Sequence, residues 1–142
     1  MATYASIQTL AEYLTEGYWD WRGKAPRHWV DSDHVTVNLT DLTAEEKVLA
    51  RTALAQWESV CNINFVETTN DAGITFRNDG SGEAVTETDV FGASMLSATI
   101  TISSNWAGGS NDIYGYKYQT YLHEIGHAIG LGHQGTYNFS GA

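Results

Sequence analysis

Several features that commonly staple or charge a small protein are scarce in this chain. Cys61 is its single cysteine, so no disulfide can form within it and thiol pairing carries no signature of redox compartment. Such a lone cysteine is expected to sit buried as a small apolar side chain. Basic residues are few: 7 Lys and Arg stand against 17 Asp and Glu, and the formal net charge of -10 repels phosphate backbones and anionic lipid surfaces. Neither nucleic acid nor a membrane is an expected partner. The deficit deepens toward the end, where Lys117 is the only basic residue after Arg77. No apolar run is long enough to span a bilayer, and the opening MATYASIQTL lacks the basic start and apolar stretch of a secretory leader. No G-x-S-x-G elbow supplies a serine nucleophile. The glycines at 126, 130 and 132 are followed by no Lys-Ser or Lys-Thr, which excludes a phosphate loop.

What is present suffices for one core. With 142 residues, 42% of them apolar, the chain is expected to form a single domain over residues 1–142. Ile7, Leu10 and Leu14 recur at helical spacing between Ser6 and Gly17 and predict a short N-terminal helix. An irregular stretch follows, with Trp19, Trp21 and Trp29 around the only proline, Pro26, and its aromatics are expected to pin it to the body. In HVTVNL, Val35, Val37 and Leu39 alternate with polar residues as in a half-buried strand. Thr43 and Glu46 form a capping box, and Leu49, Ala53, Trp57 and Val60 predict the buried face of a helix reaching about residue 60. Short β-type runs are predicted at residues 63–67, 73–78, around 92–96 and at 98–103. Tyr118, Leu122, Ile125 and Ile129 mark a second long helix. The order predicts an α/β (α+β) layer arrangement, one sheet with helices packed on it.

The second helix carries the densest chemistry. HEIGHAIGLGH, residues 123–133, holds three of the five histidines. Positions four apart face the same way on a helix, so His123 and His127 can present their rings to one metal ion. Glu124, beside the first ligand, can reach a water on that ion without itself binding it. Gly130 accepts positive φ and can end the helix, turning His133 back to the metal as a third ligand. Three nitrogen donors leave tetrahedral zinc an open position, the arrangement of a catalytic site. Nickel or copper also suits three imidazoles, so zinc rests on the glutamate and on the whole pattern. His28 and His34 lie far from the motif and are read as structural or surface residues.

With this motif the chain resembles the metzincin clan of zinc endopeptidases and, within it, the serralysin family of secreted bacterial proteases. The stretches YLTEGYWDW, LTAEEKVLARTALAQWESV and YQTYLHEIGHAIGLGHQGTYN carry the resemblance over nearly the whole chain. It implies a metzincin-like twisted mixed β-sheet with two long helices, the second carrying the zinc motif. It implies one catalytic zinc held by His123, His127 and His133, with Glu124 as general base on the zinc-bound water, and hydrolysis of peptide bonds in extended protein substrates. It also implies an extracellular, secreted protein. In the family an antiparallel edge strand binds substrate by strand addition. Gly92, Ala93, Ser94, Met95 and Leu96 are the expected position of that strand.

The departures are as specific. Metzincins have a methionine turn beneath the zinc, and serralysins a tyrosine two residues beyond it that serves as a movable ligand. Here the only methionines, Met1 and Met95, precede the motif, and nine residues follow His133. Tyr137 belongs to the stretch after the third histidine and does not replace the missing tyrosine. The resemblance therefore covers the upper, N-terminal subdomain of a catalytic domain, with the C-terminal subdomain and the calcium-binding repeats absent. Calcium is implied only for those absent segments. Two other readings stay open: a zinc-binding fragment with little or no turnover of its own, and a chain that works with a second polypeptide supplying the lower half.

Overall fold

Strand-forming alternation and one long capped helix account for the first of the described elements. The computed structural model describes residues 28, 29, 31–79, 82–104 and 115–131. Strand β1 is the short His28–Trp29, and β2 is Val35–Asn38, in which Val35 and Val37 are buried and Thr36 and Asn38 half-buried. Helix α1 spans Ala44–Val60, and both bonds of the capping box are made. The Thr43 hydroxyl accepts the Glu46 N–H at 3.2 Å, and Glu46 Oε1 accepts the Thr43 N–H at 2.9 Å. Leu49, Ala50, Ala53 and Leu54 are buried, with Trp57 packed against the core. The expected stripe fails at its last member, since Val60 is 74% exposed. Cys61 takes its place at the end of the helix and is half-buried rather than buried; burial pushes its thiol up.

The remaining elements are β3 (Phe65–Glu67), β4 (Ile74–Arg77), β5 (Ala84–Phe91), β6 (Ser94–Ile102) and helix α2 (Tyr116–Ala128). They form one mixed sheet. β3, β2, β4 and β6 run parallel in that order, and β1 pairs in parallel with the start of β6. β5 joins the other side of β6 in an antiparallel hairpin, with a register shift between Asp89 and Val90. Gly92, at φ +62°, sits in the turn of that hairpin, a conformation that favours glycine.

Helices α1 and α2 cover one face of the sheet. Val35, Val37, Ile74, Phe76, Ala98, Ile100 and Ile102 meet Leu49, Ala53, Tyr121 and Ile125 in one cluster, a two-layer arrangement. Phe76 stacks on Tyr121 with centroids 6.2 Å apart, and the buried Tyr121 hydroxyl has no hydrogen-bond partner among the described residues. Burial and the nearby Glu46 carboxylate push that phenol well above its usual range.

The expected edge strand also changes. Residues 92–96 do not form an edge strand: Gly92 and Ala93 are the hairpin turn, and β6 begins at Ser94. Ser94 and Met95 pair with β1 on one side and with β5 on the other, so their backbone groups are engaged in the sheet. The antiparallel edge strand is β5, which the sequence reading left out. The predicted helix behind Ser6, and Trp19 and Trp21, lie outside the described residues.

Candidate metal centre

Helix α2 is held from three directions. At its start, Lys117 is buried in the first turn, where a cation opposes the helix dipole. Its ammonium donates to Glu46 Oε2 at 3.0 Å, with both side chains 1% exposed, so the first turns of the two helices are locked together. Burial alone would raise the Glu46 carboxyl. The Thr43 N–H, Lys117 and the Thr43 hydroxyl outweigh it and hold the group below the usual range. Midway along, Trp57 donates its indole N–H to the Leu122 carbonyl at 3.0 Å. At the end, Trp29 donates to the Ala128 carbonyl at 2.9 Å, which is how this aromatic pins β1 to the body.

The glycines of the motif have separate reasons. A Cβ on Gly126 would lie 3.1 Å from Trp57 Cζ2, so the indole packs where a side chain would stand. Gly130, at φ +106°, ends the helix. Leu131 N–H donates to the Gly126 carbonyl and Gly130 N–H to that of His127, at 2.9 and 3.0 Å, the paired bonds of a Schellman motif. The expected sharp turn at Gly130 is therefore present. It also aims the Leu131 carbonyl at His127 Nδ1, 3.0 Å away.

That contact decides a tautomer. A carbonyl only accepts, so Nδ1 carries the proton and His127 Nε2 is left with its lone pair. His123 Nε2 lies 3.0 Å from it, the two rings being nearly perpendicular at 86°. Two nitrogens about 2.05 Å from a tetrahedral zinc would stand about 3.3 Å apart. Replacing the shared proton by a metal ion therefore needs only a few tenths of an ångström of movement. Burial, and after it the neighbouring His127, push the His123 imidazole below its usual range against the pull of Glu124, which favours the neutral, ligating form.

Glu124 completes the cluster. One ligating atom from each of His123, Glu124 and His127 lies within 4.8 Å of the others. Glu124 is 7% exposed, and its Oε2 is 3.9 Å from His123 Nε2. Its Oε1 accepts from the Thr86 hydroxyl on β5 at 2.9 Å. Beside the cluster a cleft of about 330 Å³ is lined by Ala84 from β5 and by Tyr116, Gln119, Thr120, His123 and Glu124 from α2. His133, the third expected ligand, and Tyr137 lie outside the described residues. His34 is 72% exposed in a turn outside the cluster, and Met95 is buried in β6.

Thr86 is the site residue that sequence reasoning missed. It sits in EAVTETDV, where no apolar alternation marks a strand; the β-branched Val85, Thr86, Thr88 and Val90 were the signal available.

No protein-family model matches the chain. It is 34% identical over 123 residues to the serralysin of Photorhabdus sp. (strain Az29), covering 78% of this chain. It is 31% identical over 113 residues to metallopeptidase AprA of Pseudomonas marginalis, covering 74%. The chain is a relative of the serralysins. Serralysin A of Dickeya chrysanthemi is 37% identical over 105 residues, 67% of this chain. These alignments span only about a quarter of each relative, 25%, 24% and 22%. Among solved structures myroilysin shares the fold of this serralysin relative, with a TM-score of 0.54 at 16% identity, covering 72% of this chain and 50% of that one.

Proposed function

We propose that this chain is the zinc-binding part of a serralysin-type endopeptidase that hydrolyses peptide bonds in extended protein substrates. The observation that carries the reading is the convergence of His123 Nε2 and His127 Nε2 at 3.0 Å, with the Leu131 carbonyl holding His127 in its ligating tautomer and Glu124 alongside. A set of imidazole nitrogens with one carboxylate nearby suits zinc, and His133 supplies the third nitrogen of the motif. When bound, zinc supplies Lewis-acid activation of water and of the scissile carbonyl.

The rest falls to the chain's own residues. Glu124 Oε2, turned toward the histidine pair, takes the proton of the attacking water and passes it to the departing amine. Its low exposure keeps bulk water from competing for that proton. Substrate lies along β5, the antiparallel edge, rather than along residues 92–96, and fills the cleft beside Tyr116, Gln119 and Thr120. Export and an extracellular place of work belong to the same proposal and rest on relatedness to serralysins.

The test is hydrolysis of a fluorogenic extended peptide by the zinc-loaded chain, by the chelator-treated chain and by Glu124→Ala. Turnover should vanish with chelator and return with zinc. Glu124→Ala should keep its zinc and lose activity by about 100-fold or more. Retained turnover in that variant, or a folded chain that takes up no zinc, overturns the proposal. Zinc uptake without turnover in the unsubstituted chain would favour the zinc-binding fragment instead.

A further inference from the structure

A glutamate on a helix surface has rotatable bonds enough to aim its carboxylate in several directions, and a proton-transfer group works only from one of them. In this molecule a residue on a different element restricts that choice. Thr86 stands on the inward face of β5, opposite Ile100 of β6, and its Oγ1 lies 2.9 Å from Glu124 Oε1 and 3.1 Å from the Glu124 carbonyl oxygen. Both of those atoms accept, so the single hydroxyl proton is shared between them. One contact registers the strand against the helix backbone. The other holds one carboxylate oxygen on the strand side while Oε2 faces His123 Nε2 at 3.9 Å.

We infer that Thr86 is a positioning residue for Glu124: its hydroxyl clamps Oε1 to the edge strand and so aims Oε2 at the histidine pair. The inference deepens the proposed peptidase function and rests on it for its kinetic consequences, whereas the clamp itself is a property of the metal-free fold. It couples two parts of the site. The strand along which substrate lies and the base that acts on it share one hydroxyl, so a shift of β5 moves the carboxylate as well. A hydrogen bond to a charged acceptor in a nearly dry position is among the stronger kinds, and partners that orient a site group typically cost 10 to 100-fold in activity or affinity when removed.

The variants are Thr86→Val, which keeps the shape and removes the hydroxyl, and Thr86→Ser, which keeps the hydroxyl. The first readout is the carboxyl 13C resonance of Glu124 in the metal-free chain, assigned by its loss in Glu124→Gln. The second is the pair kcat and KM for a fluorogenic peptide, and the third is zinc affinity by competition with a chelator. Thr86→Val is expected to move the Glu124 resonance and lower kcat about tenfold or more, with KM and zinc affinity changed by less than about twofold. Thr86→Ser is expected to restore both the resonance and kcat. An unmoved resonance in Thr86→Val overturns the inference, as does a loss of kcat that serine does not rescue. If neither the chain nor its variants turn over peptide, the peptidase reading fails, while the resonance still decides the clamp.

Discussion

Replacing Lys117 by methionine removes one partner of a buried ion pair and leaves the other in place. Lys117 Nζ is 3.0 Å from Glu46 Oε2, and each side chain is 1% exposed, so water does not replace the lost charge. Breaking such a pair from one side costs about 3–5 kcal/mol. Two neutral donors remain on Glu46 Oε1, the Thr43 N–H at 2.9 Å and Asn78 Nδ2 at 2.8 Å, which places the expected loss near the lower end, about 3 kcal/mol. Against a total stability of about 5–15 kcal/mol that is a large fraction. The pH dependence gives the effect a signature. In the parent chain the Glu46 carboxyl is held below its usual 4.5, so it contributes stability that is present above that value and lost as pH falls through the folded one. In Lys117→Met burial dominates and the folded value rises, so stability declines as pH climbs past about 4.5. Urea unfolding of the metal-free chain at pH 4.5 and pH 7 should therefore show a larger loss at pH 7. Adding Glu46→Gln should recover all but about 1 kcal/mol. A single-variant loss under about 1 kcal/mol, or an equal loss at the two pH values, would refute the reasoning.

The motif glycines supply further predictions. Gly130→Ala forces a side chain into the left-handed region at φ +106°. It should cost at least about 1–2 kcal/mol in urea unfolding and, by loosening the Leu131 carbonyl from His127, weaken zinc binding about 10-fold or more in chelator competition. Unchanged zinc affinity would mean that the carbonyl does not hold the ring. Gly126→Ala sets about 1 kcal/mol of helix propensity against the approach of Cβ to Trp57 Cζ2 at 3.1 Å. Because that indole is tied to the Leu122 carbonyl, overpacking should win by about 1 kcal/mol; a stabilised variant would show that the ring yields.

The parts of the fold that were legible in sequence are those made by neighbours. Thr43 with Glu46, and Val35 with Val37, lie within one turn or one strand repeat, and the structure forms the helix and the strand they predict. The same holds for His123 and His127, which the helix brings together at i, i+4. β5 was not legible, because its inward positions Ala84, Thr86, Thr88 and Val90 are only half-buried and so need no apolar alternation. The misplaced edge strand at residues 92–96 follows from that omission. Without its hairpin partner, the start of β6 reads as an edge.

Local spacing by itself thus determined the two capped or periodic helices, the imidazole pair and the glycine turn behind it, since each depends on contacts between residues a few positions apart. Only the tertiary structure decided where Glu124 points, why Lys117 can be buried and what occupies the space beside Gly126. Those depend on Thr86 with Glu124, Glu46 with Lys117 and Trp57 with Leu122, pairs 38, 71 and 65 residues apart. No periodicity encodes such pairs, because they meet only when the sheet has set two distant segments side by side and excluded the water between them.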